Sequence, residues 1–385
     1  MSGKKKKGAW RSYLGLVLIF LLGVVLGVLS IQFVDLSFLS ELSPRLRFLG
    51  YVLLIAIVFA AYFLQVIVHE AGHLVFGLLS KFRFQSFRVG SIMLIKKQGR
   101  YTFRKYVLAG TGGQCLMIPP CEEEITRARV GWFLMGGSIF NLALGGACLA
   151  IVLLLKVNVW ILIFLGMSAA FGLLFALLNG IPMRTGMIAN DGANALALKR
   201  DADAARELCC HLTINAQNME GVRLRDMPAE WFAFPNAEQL KNNAYAERAV
   251  FACNRLMDEM RFAEAAEQMR SLLDADSAMV GVHRNLLICD LLYCELVGEC
   301  REEILATLYT RELMKFIHTM QSFPSVIRTE YAFGRLYDRT SKKASLMRAA
   351  FEKCEKNHPS EGDLAMEREL MKHVDHVARE RGEEE

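Results

Sequence analysis

Residues 48–79 read FLGYVLLIAIVFAAYFLQVIVHEAGHLVFGLL, a long apolar stretch that decides the class of this protein. A helix needs about 20 apolar residues to cross the roughly 30 Å hydrocarbon core of a bilayer, and the stretch exceeds that length. Three ionisable side chains, His69, Glu70 and His73, nevertheless lie within it. Ionisable groups are costly at membrane depth and by default mark a functional site. The sequence therefore predicts a transmembrane helix that carries a functional site.

The spacing of these three side chains indicates a metal site. His69 and His73 are four residues apart, so they project from one helical face and can share one tetrahedral Zn²⁺ ion. Glu70 is placed to take a proton from a water that the metal activates, which is the HExxH arrangement of a metalloprotease. The alternative is two core histidines and an unrelated glutamate, but a buried carboxylate without a metal would be expensive. We therefore predict one zinc ion, with Glu70 as the general base.

A catalytic zinc site also needs a third protein ligand. No histidine lies between His73 and His211, so this ligand should be a carboxylate. Asp191 follows the last predicted span, after the helix-breaking Pro182, and the chain can turn it back toward the zinc. The alternative is that Asp191 caps the next helix. The other acidic residues of this half belong to the outer face or to a charged loop: Asp35, Glu41 and residues 122–124.

The composition is that of a membrane protein. Hydrophobic residues make up 53% of the chain, against about 45–50% in soluble domains. Four stretches are long enough to span a bilayer: Leu14–Val34, Phe48–Val68, Val130–Leu155 and Val157–Met183. The first follows a basic segment and could be a signal peptide. However, its apolar run is about twice the usual length and no cleavage motif follows, so we interpret it as a retained anchor.

The charges set the predicted orientation. Five Lys and Arg residues precede the first span and ten lie in the 81–129 loop, whereas the two opposite segments carry only three. By the positive-inside rule, both termini and this loop are cytoplasmic. We predict a multi-pass protein of the bacterial plasma membrane. This explains the basic charge without a nucleic-acid partner, and the ten cysteines show no spacing typical of a disulfide framework.

The second half of the chain differs from the first. Residues 201–385 carry 33 acidic and 24 basic residues, whereas residues 1–200 carry 7 and 21. Helical patterns recur along this half, one of them over Arg301–His318, and suggest an all-α, helical-repeat-like soluble domain. Such a domain favours docking of a protein partner or regulation. We predict three regions: residues 1–47 with the first span, an intramembrane core over 48–200, and the cytoplasmic helical domain over 201–385.

The loop between the second and third spans contains an alternating pattern. Residues 84–95 alternate, a turn follows at 97–100, and Tyr101-Thr102-Phe103 resumes the pattern, which predicts a small β-hairpin at the cytoplasmic face. Its free edge suits an extended substrate by strand addition. The alternative is a basic hairpin that rests on anionic lipid. Residues 110–114 are predicted to form a flexible turn that dips into the membrane.

Together these residues resemble the site-2 protease family of intramembrane zinc metalloproteases. Residues 69–73 match the family's HExxH motif, and Asn179 with Pro182, followed by Asp191-Gly192, match its N-x-x-P…D-G motif. Residues 137–141 are similar to the family's G-P-x-x-N, with Ser138 in the place of the usual proline. The resemblance covers residues 49–200.

The resemblance implies hydrolysis of a peptide bond in or near the membrane, in a membrane-embedded protein or peptide. It implies zinc on His69, His73 and Asp191, with Glu70 as base and then as proton donor to the leaving amine. Asn179, Pro182 and Asn141 would contact substrate or support the site. Interhelical hydrogen bonding is the alternative for both asparagines.

Two other functions are weighed against this one. A catalytically silent relative would serve as a membrane scaffold for the helical domain, and the intact Glu70 argues against it. A zinc transporter would need ionisable ligands on several spans, but the first and third predicted spans have none in their interiors.

Overall fold

The computed structural model describes residues 37–107, 111–185, 188–200, 203–339 and 341–382. The predicted first span, Leu14–Val34, lies outside the described residues. Within them, a short helix α1 (Phe38–Glu41) precedes three helices that are long and apolar enough to cross a membrane. These are α2 (Pro44–Leu79), α3 (Arg127–Leu154) and α4 (Val159–Gly180). They coincide with the second, third and fourth predicted spans.

Helix α2 is the central element of the membrane part. Its 36 residues extend about 54 Å at 1.5 Å per residue, well beyond the hydrocarbon core. Phe48 and Phe59 on its first half are exposed, as expected for side chains that face lipid. Gln65, His69 and His73 are buried and four residues apart, so they share one face. That face is covered by the other two spanning helices.

Glycines allow helices α2 and α3 to pack closely. A Cβ atom at Gly72 would lie 2.7 Å from the carbonyl carbon of Gly136, and one at Gly136 would lie 2.9 Å from that of Gly72. Any larger residue at this crossing would force the two backbones apart. Small residues at helix contacts are typical of membrane proteins, because packing and not the hydrophobic effect drives association there.

Four antiparallel strands follow α2 and form one sheet in the order β3-β2-β1-β4. They are β1 (Arg83–Val89), β2 (Ile92–Lys97), β3 (Arg100–Lys105) and β4 (Gly113–Ile118). The predicted hairpin is part of this sheet, but the sheet has four strands and the prediction included fewer. The prediction of a turn over residues 110–114 was wrong for Gly113 and Gln114, which pair with Val89 and Arg88. Strand β4 is covered on both faces, so its apolar run lacks the alternation that would have identified it.

The sheet lies between the spanning helices and the C-terminal half. On one face, Met117 and Cys115 pack in a cluster with Phe133 of α3. On the other face, Met93 and Ile95 pack against Met219 of the C-terminal half. The same short strands therefore contact both parts of the molecule.

The described elements from residue 191 onward are helical. They are α5 (Asp191–Arg200), α6 (Ala204–Met219), α7 (Asn243–Asp258), α8 (Phe262–Asp274), α9 (Gly281–Val297), α10 (Glu302–Leu308), α11 (Arg311–Thr319), α12 (Pro324–Leu336), α13 (Ser341–Glu355) and α14 (Glu361–Glu380), with three 3-10 turns between α6 and α7. The prediction of one helix over Arg301–His318 was wrong. The chain breaks between α10 and α11, where the Thr310 hydroxyl accepts a hydrogen bond from the Leu313 amide at 3.2 Å. Threonine favours such a cap because it satisfies an amide left free at a helix start. The repeat character and the three region boundaries stay predictions.

Candidate metal centre

Three side chains from two distant parts of the chain, two on α2 and one at the start of α5, come together beside α2. His69 Nε2 lies 3.3 Å and His73 Nε2 lies 3.4 Å from Asp191 Oδ2. The two Nε2 atoms are 3.2 Å apart. A zinc ion with ligands at about 2.0–2.1 Å in a tetrahedron separates them by about 3.3 Å. The three atoms thus have the spacing of three tetrahedral corners, and a fourth corner is left for water or substrate.

The ring orientation of both histidines suits metal binding. His69 Nδ1 lies 2.7 Å from Asn141 Oδ1, and His73 Nδ1 lies 2.9 Å from the carbonyl oxygen of Phe133. A carbonyl oxygen can only accept, so each Nδ1 donates its proton there and each Nε2 keeps a lone pair for the metal. Both partners belong to α3, which thereby fixes the rings on α2.

Asn141 is itself held by a buried network. Its amide nitrogen donates to the backbone oxygen of Gln65 at 2.8 Å and to Gln65 Oε1 at 2.7 Å. Gln65 Nε2 in turn donates to the Ser168 carbonyl on α4 at 2.8 Å. This chain of hydrogen bonds also assigns the amide orientation of Asn141, because its nitrogen points to acceptors and its oxygen to His69. Three helices are therefore linked behind one ligand.

The approach of α3 to the two histidines depends on Gly137. A Cβ atom there would lie 2.5 Å from His69 Cε1 and 2.7 Å from His73 Nε2. Real Cβ atoms do not come so close to other heavy atoms, so only glycine fits without moving the rings. The glycine at the start of the 137–141 segment thus has a direct steric role beside the candidate ligands.

Asn190 holds the turn that places Asp191. Its side-chain nitrogen donates to the carbonyl oxygens of Leu178 and Ile181, both at 2.6 Å. Its side-chain oxygen accepts from the amides of Met183 and Ala193. These bonds join the end of α4 to the start of α5, where Asp191 is the first residue. Asn190 therefore caps α5, since its side-chain oxygen accepts from the Ala193 amide. The alternative that Asp191 is the cap was wrong, and Asp191 instead approaches both histidines.

Glu70 is 7% exposed and faces strand β4. A Cβ atom at Gly113 would collide with the Glu70 carboxylate, so the strand passes directly beside it. The fully buried Arg88 of β1 holds this part of β4 in place. Its guanidinium donates to the Gly113 carbonyl at 3.1 Å and to the Gly90 carbonyl at 2.8 Å. Strand and carboxylate together form one wall beside the three ligand atoms.

The other two predicted site residues lie apart from these contacts. Asn179 donates to the Phe175 carbonyl of its own helix at 3.1 Å. Pro182 is exposed in the loop after α4. The hydrogen bonds found for the described residues join neither to the metal cluster, whereas Asn141 contacts a candidate ligand directly.

Sequence reasoning missed Gln65, Asn190 and Arg88. A signal existed for Gln65, since it is a polar residue four positions before His69 on an apolar helix. Asn190 and Arg88 had no comparable local signal, because each binds a backbone carbonyl, of Leu178 and of Gly113, that only the folded chain brings near.

The donor set fits zinc. Two imidazole nitrogens and one carboxylate oxygen are common ligands of catalytic zinc sites, which keep one position open. Among the described residues, these three form the one group of His, Cys, Asp and Glu side chains close enough to hold an ion. The residues present are therefore suited to a single zinc ion.

Comparison with known proteins gives one result for the family. The model of Peptidase_M50, described as peptidase family M50, matches residues 56–357 of this chain. No curated protein and no solved structure matches this chain significantly.

Proposed function

The chain belongs to peptidase family M50, a family of membrane metalloproteases, and from this membership we propose that it is an intramembrane zinc endopeptidase. It hydrolyses a peptide bond in or near the transmembrane segment of a membrane-bound protein or peptide. The observation that carries the proposal is the tetrahedral spacing of His69, His73 and Asp191, with Glu70 adjacent to the first histidine.

The proposed roles follow from the chemistry of each group. His69, His73 and Asp191 would hold the zinc ion, which would supply Lewis-acid polarisation of water and of the scissile carbonyl when bound. Glu70 takes a proton from the attacking water and later gives it to the leaving amine. Asn141 and the Phe133 carbonyl keep each Nε2 lone pair directed at the ion. Asn179 lies at the end of α4 and Pro182 in the loop that leads from α4 to Asp191, and a contact of these two residues with substrate is part of the proposal.

Strand β4 supports a way to hold the substrate. A protease needs its substrate extended, and β4 is an edge of the sheet that passes beside Glu70. An extended segment that adds to this edge would bring its backbone next to the base. The opposite edge, β3, exposes Tyr101 and Phe103 among basic residues and suits contact with anionic lipid. In this proposal, strand addition of the substrate occurs at one edge of the sheet and contact with anionic lipid at the other.

The proposed topology follows the distribution of Lys and Arg. The sheet and the C-terminal half lie on the cytoplasmic side, and the active site opens toward them. The C-terminal helical domain then meets the cytoplasmic part of a substrate or a protein partner.

The decisive test is the Glu70→Gln variant. We expect it to bind one zinc ion per chain and to fold normally, but to lose cleavage by at least about 100-fold, because general-base catalysis typically contributes that much. Elemental analysis measures the metal, and a proteomic comparison of membranes from cells with wild type or variant identifies uncleaved substrates. Glu352→Gln, at an exposed position of α13, is the matched control.

The outcomes separate mechanism from ligand assignment. Unchanged cleavage by Glu70→Gln would remove the proposed mechanism. Full zinc content and activity in Asp191→Ala would remove only the third ligand. A wild-type chain that binds zinc and cleaves nothing would favour the catalytically silent scaffold.

A further inference from the structure

A cavity of about 350 Å³ lies between the sheet and the C-terminal helices. We call it the tail cavity. Strand β4 forms part of its wall through Gln114 and Leu116, and β2 contributes Met93. Helices α6, α7, α9, α12 and α14 and the segments beside them supply the remainder. Its volume lies within the range of about 300–1,000 Å³ that is usual for ligand sites.

Three side-chain amides in the wall of the tail cavity have free hydrogen-bonding groups. Gln114, Asn215 and Asn254 line the tail cavity, and no side-chain hydrogen bond is found for them among the described residues. All three are half-buried, so their amides remain accessible from the cavity. A side-chain amide carries two donors and an acceptor, which complement the carbonyl and N–H of a peptide group. The wall is thus suited to an extended peptide backbone.

The charge of the lining favours a cationic ligand. Four carboxylates line the tail cavity, from Glu247, Asp290, Asp363 and Glu367, whereas Arg328 is its one Lys or Arg side chain. Arg328 is already bound to Asp290 and Glu367. Burial lowers the pKa of the lining His283 and His358, and it raises the pKa of Asp290, Asp363 and Glu367. Glu247 differs, because the nearby His211 lowers its pKa to about 2 against the effect of burial, so this carboxylate supplies negative charge to the lining. Excess negative charge in a partly enclosed space attracts positive side chains.

Neighbouring residues of β4 contact the candidate active site and the tail cavity. Gly113 faces Glu70, and the next residue, Gln114, lines the cavity on the opposite face of the strand. Successive side chains of a strand point to opposite faces. A peptide that adds to β4 would therefore present alternate side chains to the metal side and to the tail cavity.

We infer that the tail cavity binds an extended, basic peptide segment, namely the cytoplasmic flank of the substrate next to its transmembrane helix. The inference rests on the proposed function. Cytoplasmic flanks of membrane proteins are enriched in Lys and Arg, which matches the acidic lining. The cavity then selects substrates by the residues beside the scissile region.

The test measures binding apart from cleavage. The Glu70→Gln protein, full length and in detergent, is titrated with a fluorescein-labelled peptide of alternating alanine and lysine, and anisotropy is recorded. We expect saturable binding that weakens about tenfold when Asn215→Leu and Asn254→Leu are combined, since two hydrogen bonds to the peptide are lost. Asn285→Leu, the same change on α9 outside the cavity, is the control and should bind as the parent does.

Two results would overturn the inference. One is equal binding of a peptide of alternating alanine and glutamate, and the other is unchanged lysine-peptide affinity in the double variant. The wild-type background then separates the two proposals. If the double variant in that background cleaves with an unaltered KM, the tail-cavity inference fails while the peptidase stands. If the lysine peptide binds as expected but Glu70→Gln and wild type process substrates alike, the peptidase mechanism fails while the binding site stands.

Discussion

At the level of single residues, the site depends on groups that orient the ligands as much as on the ligands themselves. Asn141 and the Phe133 carbonyl direct the two imidazoles, and Gly137 leaves room for them. All three belong to α3, although the ligands on α2 make up the recognisable motif. Substitutions on α3 should therefore change metal binding without touching a ligand.

We expect Gly137→Ala to reduce bound zinc and activity together. The added methyl group would collide with both rings, and a shift of the rings would spoil the tetrahedral spacing. Loss of a supporting contact typically costs 10–100-fold in metal affinity. The measurement is zinc content after dialysis against a graded chelator series. Gly146→Ala on the same helix is the control, because no atom lies within 4 Å of its added carbon. Wild-type zinc affinity in Gly137→Ala would contradict this steric role.

At the level of elements, the helices of the C-terminal half are joined by a buried charge network. Arg328 on α12 is 1% exposed. It donates to Glu367 on α14 at 2.8 Å and to Asp290 on α9 at 2.5 Å, and its guanidinium stacks on Tyr293 at 4.4 Å from the ring centroid. Burial raises the pKa of Glu367 to about 7 in spite of the nearby arginine. The network thus holds three helices in a fixed arrangement around the tail cavity.

Replacement of Arg328 should lower the thermal stability of the C-terminal half. Arg328→Met keeps much of the side-chain volume but leaves two buried carboxyl groups without their cation, which costs roughly 3–5 kcal/mol in comparable cases. We expect a lower midpoint in thermal unfolding followed by circular dichroism. Arg311→Met, at an exposed position of α11, should leave the midpoint unchanged. Equal midpoints for both variants would show that the network adds nothing to stability.

For the whole molecule, the sheet couples the metal centre to the C-terminal half. Gln85 on β1 donates to the Ala216 carbonyl of α6 at 3.0 Å, and Arg104 on β3 donates to the His358 carbonyl at 2.9 Å. Lys97 also pairs with Glu361 at the start of α14. Since β4 of the same sheet passes beside Glu70, a shift of the C-terminal half should also shift the strand that lies next to the proposed base.

We expect Gln85→Leu to loosen this coupling. The change removes one of the two donors to the Ala216 carbonyl, which keeps its bond from the Glu220 amide, so the loss is worth about 0.5–1.5 kcal/mol. Hydrogen exchange should become faster in β1, β4 and α6 together, while zinc content stays at the wild-type level. Gln321→Leu, at an exposed position, controls for the chemistry of the substitution. Faster exchange confined to β1 would argue that the sheet and α6 move independently.

The membrane class and the His69, Glu70 and His73 cluster could be predicted from sequence, because both depend on local order within one helix. Apolar length and i, i+4 spacing survive in any environment that keeps α2 helical. The convergence of Asp191 was expected from elimination and from the family motif, yet its distance to the histidines depends on the Asn190 turn. Strand β4 escaped prediction because burial on both faces removed its alternation.

Local order therefore specified which side chains α2 presents and on which face. Only the tertiary structure decided what meets that face: Asn141 behind His69, Gly113 beside Glu70, and a polar cavity across the strand from the metal side. The first two contacts join residues that are 72 and 43 positions apart, the cavity joins residues from Met93 to Glu367, and no periodicity in a single segment encodes any of them. They arise because close helix packing and strand pairing bring separate elements together, and the energy of those contacts exists only after the chain has folded.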